Sequence, residues 1–336
     1  LCIKISKEKA NAVHKFLIEK NFLDKNYKPM RKGKFVLFPI KKEGKKEIKK
    51  LIKNANVSFA NLQKRNLPSR PSLPFSSFDI MGEIAVLEIP LHLQKREKEI
   101  ANLILTGNKN IKTVAKKIEG TGGKYRIRPV ETIAGKKITK TICGESGCKF
   151  LIDINKAYYT PRFGSERLRI AKLVKEGENI LVLFAGICPY PVVIEKNAKE
   201  NVEKIIAIEL NPHAHKFALQ NIKLNKCKKI IAVKGDAEKE LKKKKYKNWA
   251  DRVIMPHPSE SLKFLPLALN SAKNNGLIHL YAFDYAGANA KNIFKEAEKI
   301  AKKQNIIVEL VRWKAVRPYS PSLEQVVVDL RVRKKQ

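Results

Sequence analysis

Ile180-Leu181-Val182-Leu183-Phe184-Ala185-Gly186-Ile187-Cys188-Pro189 is the stretch on which the reading of the fold turns. Five consecutive large apolar residues suit a strand covered on both faces, and Ala185-Gly186 suits a tight turn into the next element. Working outward, strand-like segments recur at 205–209, 230–233, 252–255, 277–282, 306–311 and 325–330. Amphipathic segments separate most of them, notably 212–224 and 288–303. This alternation predicts a doubly wound α/β sheet with helices on both faces. The last two strands are joined by a shorter connection holding Pro318 and Pro321, which predicts an antiparallel hairpin at the end. Residues 153–336 are therefore expected to form a Rossmann-like, seven-stranded domain.

Two smaller α/β domains are expected upstream. In residues 1–62, alternation at 2–5 and an apolar run at 35–40 predict strands. Ala10, Val13, Phe16 and Leu17 have the spacing of a helix over 9–19, and a charged helix follows at 45–54. Residues 63–77 carry Pro68, Pro71 and Pro74 among serines and read as a linker. In residues 78–152, a hairpin flanks Gly82-Glu83, a helix covers 93–105, and the turn Gly120-Thr121-Gly122-Gly123 leads into a strand at 125–130. Cys143 and Cys148 stand at C-x4-C spacing. With no second pair or histidine cluster beside them, a hairpin with incidental cysteines is preferred to a metal site.

The 336 residues include 70 Lys+Arg against 32 Asp+Glu, a formal net charge of +38, and 43% are hydrophobic. Such a composition folds, and so large a basic excess points to a polyanionic partner. Nucleic acid fits better than a membrane surface, because the basic stretches are not paired with a bulky apolar helix face. The longest apolar stretch, 180–194, is interrupted by Pro189 and Pro191 and is too short to cross a bilayer. The first residues lack the apolar core of a signal peptide, and the cysteines form no disulfide framework. A cytoplasmic protein with no membrane partner is expected.

Ligands of doubly wound sheets sit beyond the carboxyl ends of the strands. Here the first strand runs into Gly186 alone, with neither G-x-G-x-x-G nor G-x-x-x-x-G-K-[ST], and Pro189 removes an amide donor. A loop without a phosphate cradle suits a nucleoside ligand that carries none, such as S-adenosylmethionine. The second strand ends in Glu209-Leu210-Asn211-Pro212, and a carboxylate at that tip can accept both ribose hydroxyls. The third leads to Gly235-Asp236-Ala237, where Asp236 can accept from the adenine amino group. Either acid alone could be a helix N-cap or first-turn charge; two at successive strand tips after a glycine turn favour the cofactor. His213 and His215, at i and i+2, do not share a helix face and read as structural.

Tyr125-Arg126-Ile127-Arg128, Tyr158-Tyr159-Thr160-Pro161-Arg162, Gly164-Ser165-Glu166-Arg167, Phe184-Ala185-Gly186, Glu209-Leu210-Asn211-Pro212 and Asp236 occur in one order. Together they resemble the archaeal and eukaryotic tRNA (guanine-37-N1) methyltransferase family, from about residue 75 to the end and, in outline only, over 1–62. The run from Tyr158 to Arg167 is the most specific motif. The resemblance implies a class I methyltransferase domain with S-adenosylmethionine as methyl donor. It implies tRNA as partner, held at the anticodon loop and, by the small N-terminal domain, at the outer corner. A monomer with no obligatory protein partner is implied as well. By family position Glu166 is the general base and Arg126 the stabiliser of the guanine O6. Phe184, Ala185, Gly186, Glu209, Leu210, Asp236, Ala237, Pro256 and Arg162 belong to the cofactor site, and Tyr158, Arg128, Arg167 and Pro258 to the substrate site; no metal is implied.

The chemistry accounts for such groups. Guanine N1 carries a proton that must leave, and a carboxylate whose pKa burial raises toward neutrality can take it. A fixed guanidinium then offsets the charge on O6. The base must be splayed out, where an aromatic such as Tyr158 can stack on it. The chain also departs from the family pattern. Its fourth strand ends in Pro256-His257-Pro258, where many relatives place Asn, and Pro256 offers neither a side-chain acceptor nor an amide proton. This P-x-P form resembles the archaeal branch linked to wyosine-type bases, in which some members also methylate carbon 7 of the tricyclic precursor 4-demethylwyosine. Cys188 replaces the usual Gly and reads as a small buried residue, and Val182 or Leu183 stands where relatives often carry Asp. The competing functions are aminocarboxypropyl transfer to the same base and non-catalytic tRNA binding.

Overall fold

A computed structural model describes residues 1–24, 26–52, 56–63, 78–118, 125, 127, 129–320 and 322–334. The chain forms two compact units, Leu1–Ser72 and Leu73–Gln336. In the first, strands Met30–Lys32, Phe35–Pro39, Cys2–Ser6 and Asn56–Ser58 make an antiparallel sheet in that order. Helix Ala10–Glu19 buries Ala10, Val13 and Leu17, an i, i+3, i+7 stripe, in one core with Ile3, Ile5, Phe38 and Ile40. The charged helix, Lys45–Leu51, stops short of the expected 54. Most of the expected linker, from residue 64 on, lies outside the described residues.

The second unit begins with a sheet of Asp79–Met81, Ile84–Leu87, Thr113–Lys117 and Val130–Gly135. Its first pair is antiparallel around Gly82, whose φ of +54° and close approach to the Ile142 carbonyl both demand glycine. The expected helix is a 3-10 turn, Leu91–Arg96, continued by helix Glu97–Gly107. The strand expected at 125–130 begins only at Val130; Arg126, Arg128 and the Gly120–Gly123 turn lie outside the described residues. Cys143 and Cys148 sit in a hairpin of Lys140–Glu145 and Cys148–Asp153, and both thiols are buried. The packing does not break at 152/153: Met81, Ile84, Phe150, Ile152, Ile170 and Val182 share one core.

The seven-stranded sheet consists of β1 (Asn179–Val182), β2 (Lys204–Glu209), β3 (Ile230–Lys234), β4 (Ala250–Met255), β5 (Ala272–Tyr285), β6 (Ile306–Pro318) and β7 (Leu323–Lys334). Their order is β3-β2-β1-β4-β5-β7-β6, with β1 to β5 parallel and β7 antiparallel to both its neighbours. Helices are α1 (Gly164–Ala171), α2 (Pro189–Asn197), α3 (Pro212–Leu224), α4 (Ala237–Leu241), α5 (Ser261–Ser271) and α6 (Lys291–Lys302). The period-2 geometry of a strand explains why β1 reads as an unbroken apolar run. Ile180 and Val182 enter the core shared with α1, α2 and α3, whereas Leu181 and Leu183 enter the core shared with α4, α5 and α6. Each such fully buried side chain contributes about 1.5–3 kcal/mol. Among the described residues, no helix is long and apolar enough to cross a membrane.

Candidate active site

The order of strands puts the expected cofactor residues other than Arg162 at four adjacent tips, those of β3, β2, β1 and β4. Beyond β1 the backbone enters the left-handed region at Phe184, Gly186 and Cys188, with φ of 52°, 56° and 64°. Hydrogen bonds from Leu183 N to Ile254 O and from Ala185 N to Ile208 O tie the turn to both neighbouring strands, each at 3.0 Å. Gly186 N donates to Glu209 Oε2 at 2.7 Å, and Asn211 N donates to Glu209 Oε1 at 2.7 Å. The carboxylate is thus fixed by backbone amides at both oxygens and keeps acceptor capacity for a ligand. Burial pushes the Glu209 carboxyl above its ordinary value, and the amides of Asn211, Gly186 and Leu210 hold it partly back.

Glu209 is not a helix cap; Asn211 caps α3, and its side-chain amide reaches Lys156 O at 2.8 Å. Asp236 does cap α4 through Oδ1, which accepts from Glu238 N at 2.8 Å, and Oδ2 remains for a ligand. Leu210 is half-buried and Ala237 buried beside the two acids. The Phe184 ring meets His257 and Phe264 edge-on at 5.2 and 5.0 Å, and half-buried Pro256 and Pro258 flank His257. α2 opens with Pro189 and Pro191, which lack N–H groups, and Cys188 N is spent on Ala185 O. An α2 N-terminus so poor in donors is unsuited to phosphate and fits a nucleoside ligand. Cys188 is fully buried, as its small size suggested. Tyr158 is 55% exposed, and its carbonyl lies beside Gly186.

Glu166 is only 1% exposed. Arg169, one turn along α1, forks onto it with Nη2–Oε1 at 2.7 Å and Nε at 3.0 Å from both oxygens. Tyr281 OH donates to Oε1 at 2.8 Å and Lys314 Nζ to Oε2 at 3.1 Å. The expectation of a raised pKa is corrected here. Burial does push the carboxyl up, but Arg169, Tyr281 and Lys314 together draw it below its ordinary value.

Two arginines also differ from expectation. Arg167, expected at the substrate, is buried in a bidentate pair with Glu145, donates to Thr160 O at 2.8 Å, and lies over the rings of Tyr159 and Tyr190. A guanidinium so enclosed braces the motif and does not face a ligand. Arg162, expected at the cofactor, donates from Nε to Asp79 Oδ1 at 2.5 Å and ties the turn before α1 to the strand Asp79–Met81. The residues around Glu166 went unpredicted. Arg169 was signalled only by its i+3 spacing, and Asp329 only as a lone acid within Val326-Val327-Val328-Asp329-Leu330. Tyr281 and Lys314 had no signal, because their meeting with α1 is a product of the sheet.

Comparison with known proteins agrees with the fold. A family model for the TRM5/TYW2 methyltransferase domain matches residues 141–309, one for the tRNA methyltransferase 5 N-terminal domain matches 2–49, and one for the TYW2 N-terminal domain matches 60–139. The chain is 34% identical to tRNA (guanine(37)-N(1))-methyltransferase Trm5b of Pyrococcus abyssi, covering 99% of each. It is 35% identical over 193 residues to the tRNA (guanine(37)-N(1))/4-demethylwyosine(37)-methyltransferase Taw22 of Nanoarchaeum equitans, covering 56% of this chain and 62% of that one. A solved complex of aTrm5 and tRNALeu matches with a TM-score of 0.67 at 29% identity, covering 98% of this chain and 99% of that one.

Proposed function

This chain belongs to the TRM5/TYW2 methyltransferase family, and on that premise we propose that it methylates N1 of the guanine at position 37 of tRNA, acting as a cytoplasmic monomer with S-adenosylmethionine as donor. The observation that carries the reading is Glu209, pinned by the amides of Gly186 and Asn211 at a strand tip whose neighbouring turn has no phosphate cradle. The bound cofactor supplies an electrophilic methyl group on a sulfonium. Glu209 accepts the ribose hydroxyls, Asp236 Oδ2 the adenine amine, and exposed Tyr158 stacks on the everted base. The net charge of +38 supplies the attraction to phosphate that tRNA binding needs.

Glu166 is the group that takes the N1 proton. Its Oε1 is already occupied by Arg169 and Tyr281. Its Oε2 accepts from Arg169 Nε and from Lys314, and the Lys314 side chain is 35% exposed and can step aside as the base enters. Because Glu166 is ionised at neutral pH, the base is ready without a prior deprotonation. The resemblance assigns Arg126 to the developing charge on O6.

A second acceptor, carbon 7 of 4-demethylwyosine, is favoured by Pro256-His257-Pro258 and by the likeness to the Taw22 relative. Mass spectrometry of tRNA incubated with protein and S-adenosylmethionine tests both acceptors. Guanine-37 tRNA is expected to gain one CH2, and tRNA bearing the precursor is expected to gain one if the site serves both. No gain on either substrate refutes the proposal, and release of methylthioadenosine would show aminocarboxypropyl transfer instead.

A further inference from the structure

The face of the sheet beneath α1 carries a continuous buried polar chain that begins far from the strand tips. Glu178 forks onto fully buried Arg252, with Oε2–Nε at 2.7 Å and Oε1–Nη2 at 2.8 Å. Arg252 Nη1 faces His279 Nε2 at 2.6 Å, and His279 Nδ1 lies 2.6 Å from Asp329 Oδ1. Arginine only donates, so Nε2 must accept, and the ring proton stays on Nδ1 and points at Asp329. Burial also holds the His279 pKa below its ordinary value, consistent with a neutral ring. Asp329 in turn accepts from Arg169 Nη1 at 2.8 Å, and Arg169 forks onto Glu166.

Register explains the alignment. Tyr281, Val327 and Lys314 share one rung across β5, β7 and β6, and His279, Asp329 and Arg312 share the rung two residues away. Two-residue spacing keeps Tyr281 with His279, and Val327 with Asp329, on the face toward α1. The i, i+3 spacing on α1 sets Glu166 and Arg169 above those two rungs. Oriented by His279, Asp329 holds the far side of the Arg169 guanidinium, so the near side is free to lock the plane of the Glu166 carboxylate.

We propose that Arg169, aimed by Asp329, is a positioning residue for the transfer reaction, setting where the Glu166 carboxylate stands. The inference rests on the reading of Glu166 as the base. Among the described residues, the groups facing Glu166 are Arg169 on α1, Tyr190 on α2, Tyr281 on β5 and Lys314 on β6, with His279 on β5 and Asp329 on β7 behind Arg169. With Arg169 removed, burial acts on the carboxyl with less opposition, so its pKa rises and an acid limb enters the rate profile.

Single-turnover methylation of tRNA by the full chain from acid to alkaline pH provides the test, with S-adenosylhomocysteine binding as the check on folding. Arg169→Met is expected to slow transfer by about tenfold or more and to lose further rate on the acid side. In a Glu166→Gln background the same change should cost less than about twofold, because its effect passes through the missing carboxylate. A full Arg169→Met penalty in that background, or an unchanged rate and profile in the single variant, overturns the proposal. Should Arg169→Met fail to bind the cofactor analogue, Asp329→Asn decides. It is expected to show the same acid-side loss, and a wild-type profile there overturns the proposal. Wild-type rates in Glu166→Gln would instead remove the base assignment itself, a separate failure.

Discussion

Glu209→Gln separates cofactor recognition from folding. In the native protein the Glu209 oxygens accept backbone amides, Oε1 from Asn211 and Oε2 from Gly186, and in the proposed function their remaining acceptor capacity goes to the ribose hydroxyls. Glutamine retains a single acceptor oxygen, so its NH2 replaces one carboxylate oxygen and opposes a backbone N–H, of Gly186 or of Asn211, whichever way it turns. A hydrogen bond to a charged group contributes about 1.5–3 kcal/mol, and losing one while weakening another comes to about 2–3 kcal/mol. Affinity for S-adenosylhomocysteine should therefore fall about 30- to 150-fold by titration calorimetry. The fold should suffer less than binding does. Because the native carboxyl is raised by burial, its ionised form is a cost to the folded state at neutral pH, and the neutral amide lacks that cost. That gain offsets part of the cost, about 1–3 kcal/mol, of the backbone N–H left without an acceptor, so denaturant unfolding should show a net loss of no more than about 2 kcal/mol. The raised pKa also makes wild-type affinity fall as pH drops through a value above the ordinary 4.5, a limb the variant lacks. A dissociation constant within threefold of wild type would refute the assignment of Glu209 to the ribose.

Arg252→Met strands Glu178 and the acceptor nitrogen of His279 in the core, and denaturant unfolding should show a loss of about 3–5 kcal/mol; a loss below about 1 kcal/mol would contradict the described network. Tyr158→Ala should lower kcat/KM for tRNA by about 1–3 kcal/mol of lost stacking while leaving S-adenosylhomocysteine affinity intact, and unchanged kcat/KM would remove Tyr158 from the base pocket. His279 is held below its ordinary 6.5, so the unfolded chain takes up its proton first. Its contribution is whole above pH 6.5 and declines as pH falls from there toward the folded value. Unfolding curves between pH 7 and 5 should show that decline, and His279→Gln should flatten it. An equally steep decline in the variant would assign the effect to other groups.

Much of this architecture was legible locally. Strand segments around Ile180, Ile205, Val253, Ile278 and Val327 announce themselves because a strand buried on both faces is apolar at nearly every position. The edge strands around Ile230 and Val308 show as apolar runs although Ile231 and Ile307 are exposed. Helix α3 begins and ends where Asn211-Pro212 and Leu224 suggest, since a cap and a proline act on adjacent backbone. Glu209 and Asp236 could be placed for a related reason: strand tips in this topology converge, so two acids following two strands become neighbours without any knowledge of side-chain packing.

The surroundings of Glu166 were not legible. A carboxylate in an apolar core was expected to have a raised pKa, and burial does push it that way. The outcome has the opposite sign because partners 3, 115 and 148 residues distant in sequence converge on it. The same holds for Arg167, a cation that reads as a ligand contact until Glu145, 22 residues away, is seen to close around it. Amino-acid order determined the elements, their doubly wound arrangement with an antiparallel end and the strand tips that carry Glu209 and Asp236, because those depend on local periodicity and topology. The protonation of Glu166 and the buried chain behind it were decided only by the tertiary structure, because electrostatic energy depends on distances that strand register and helix docking set.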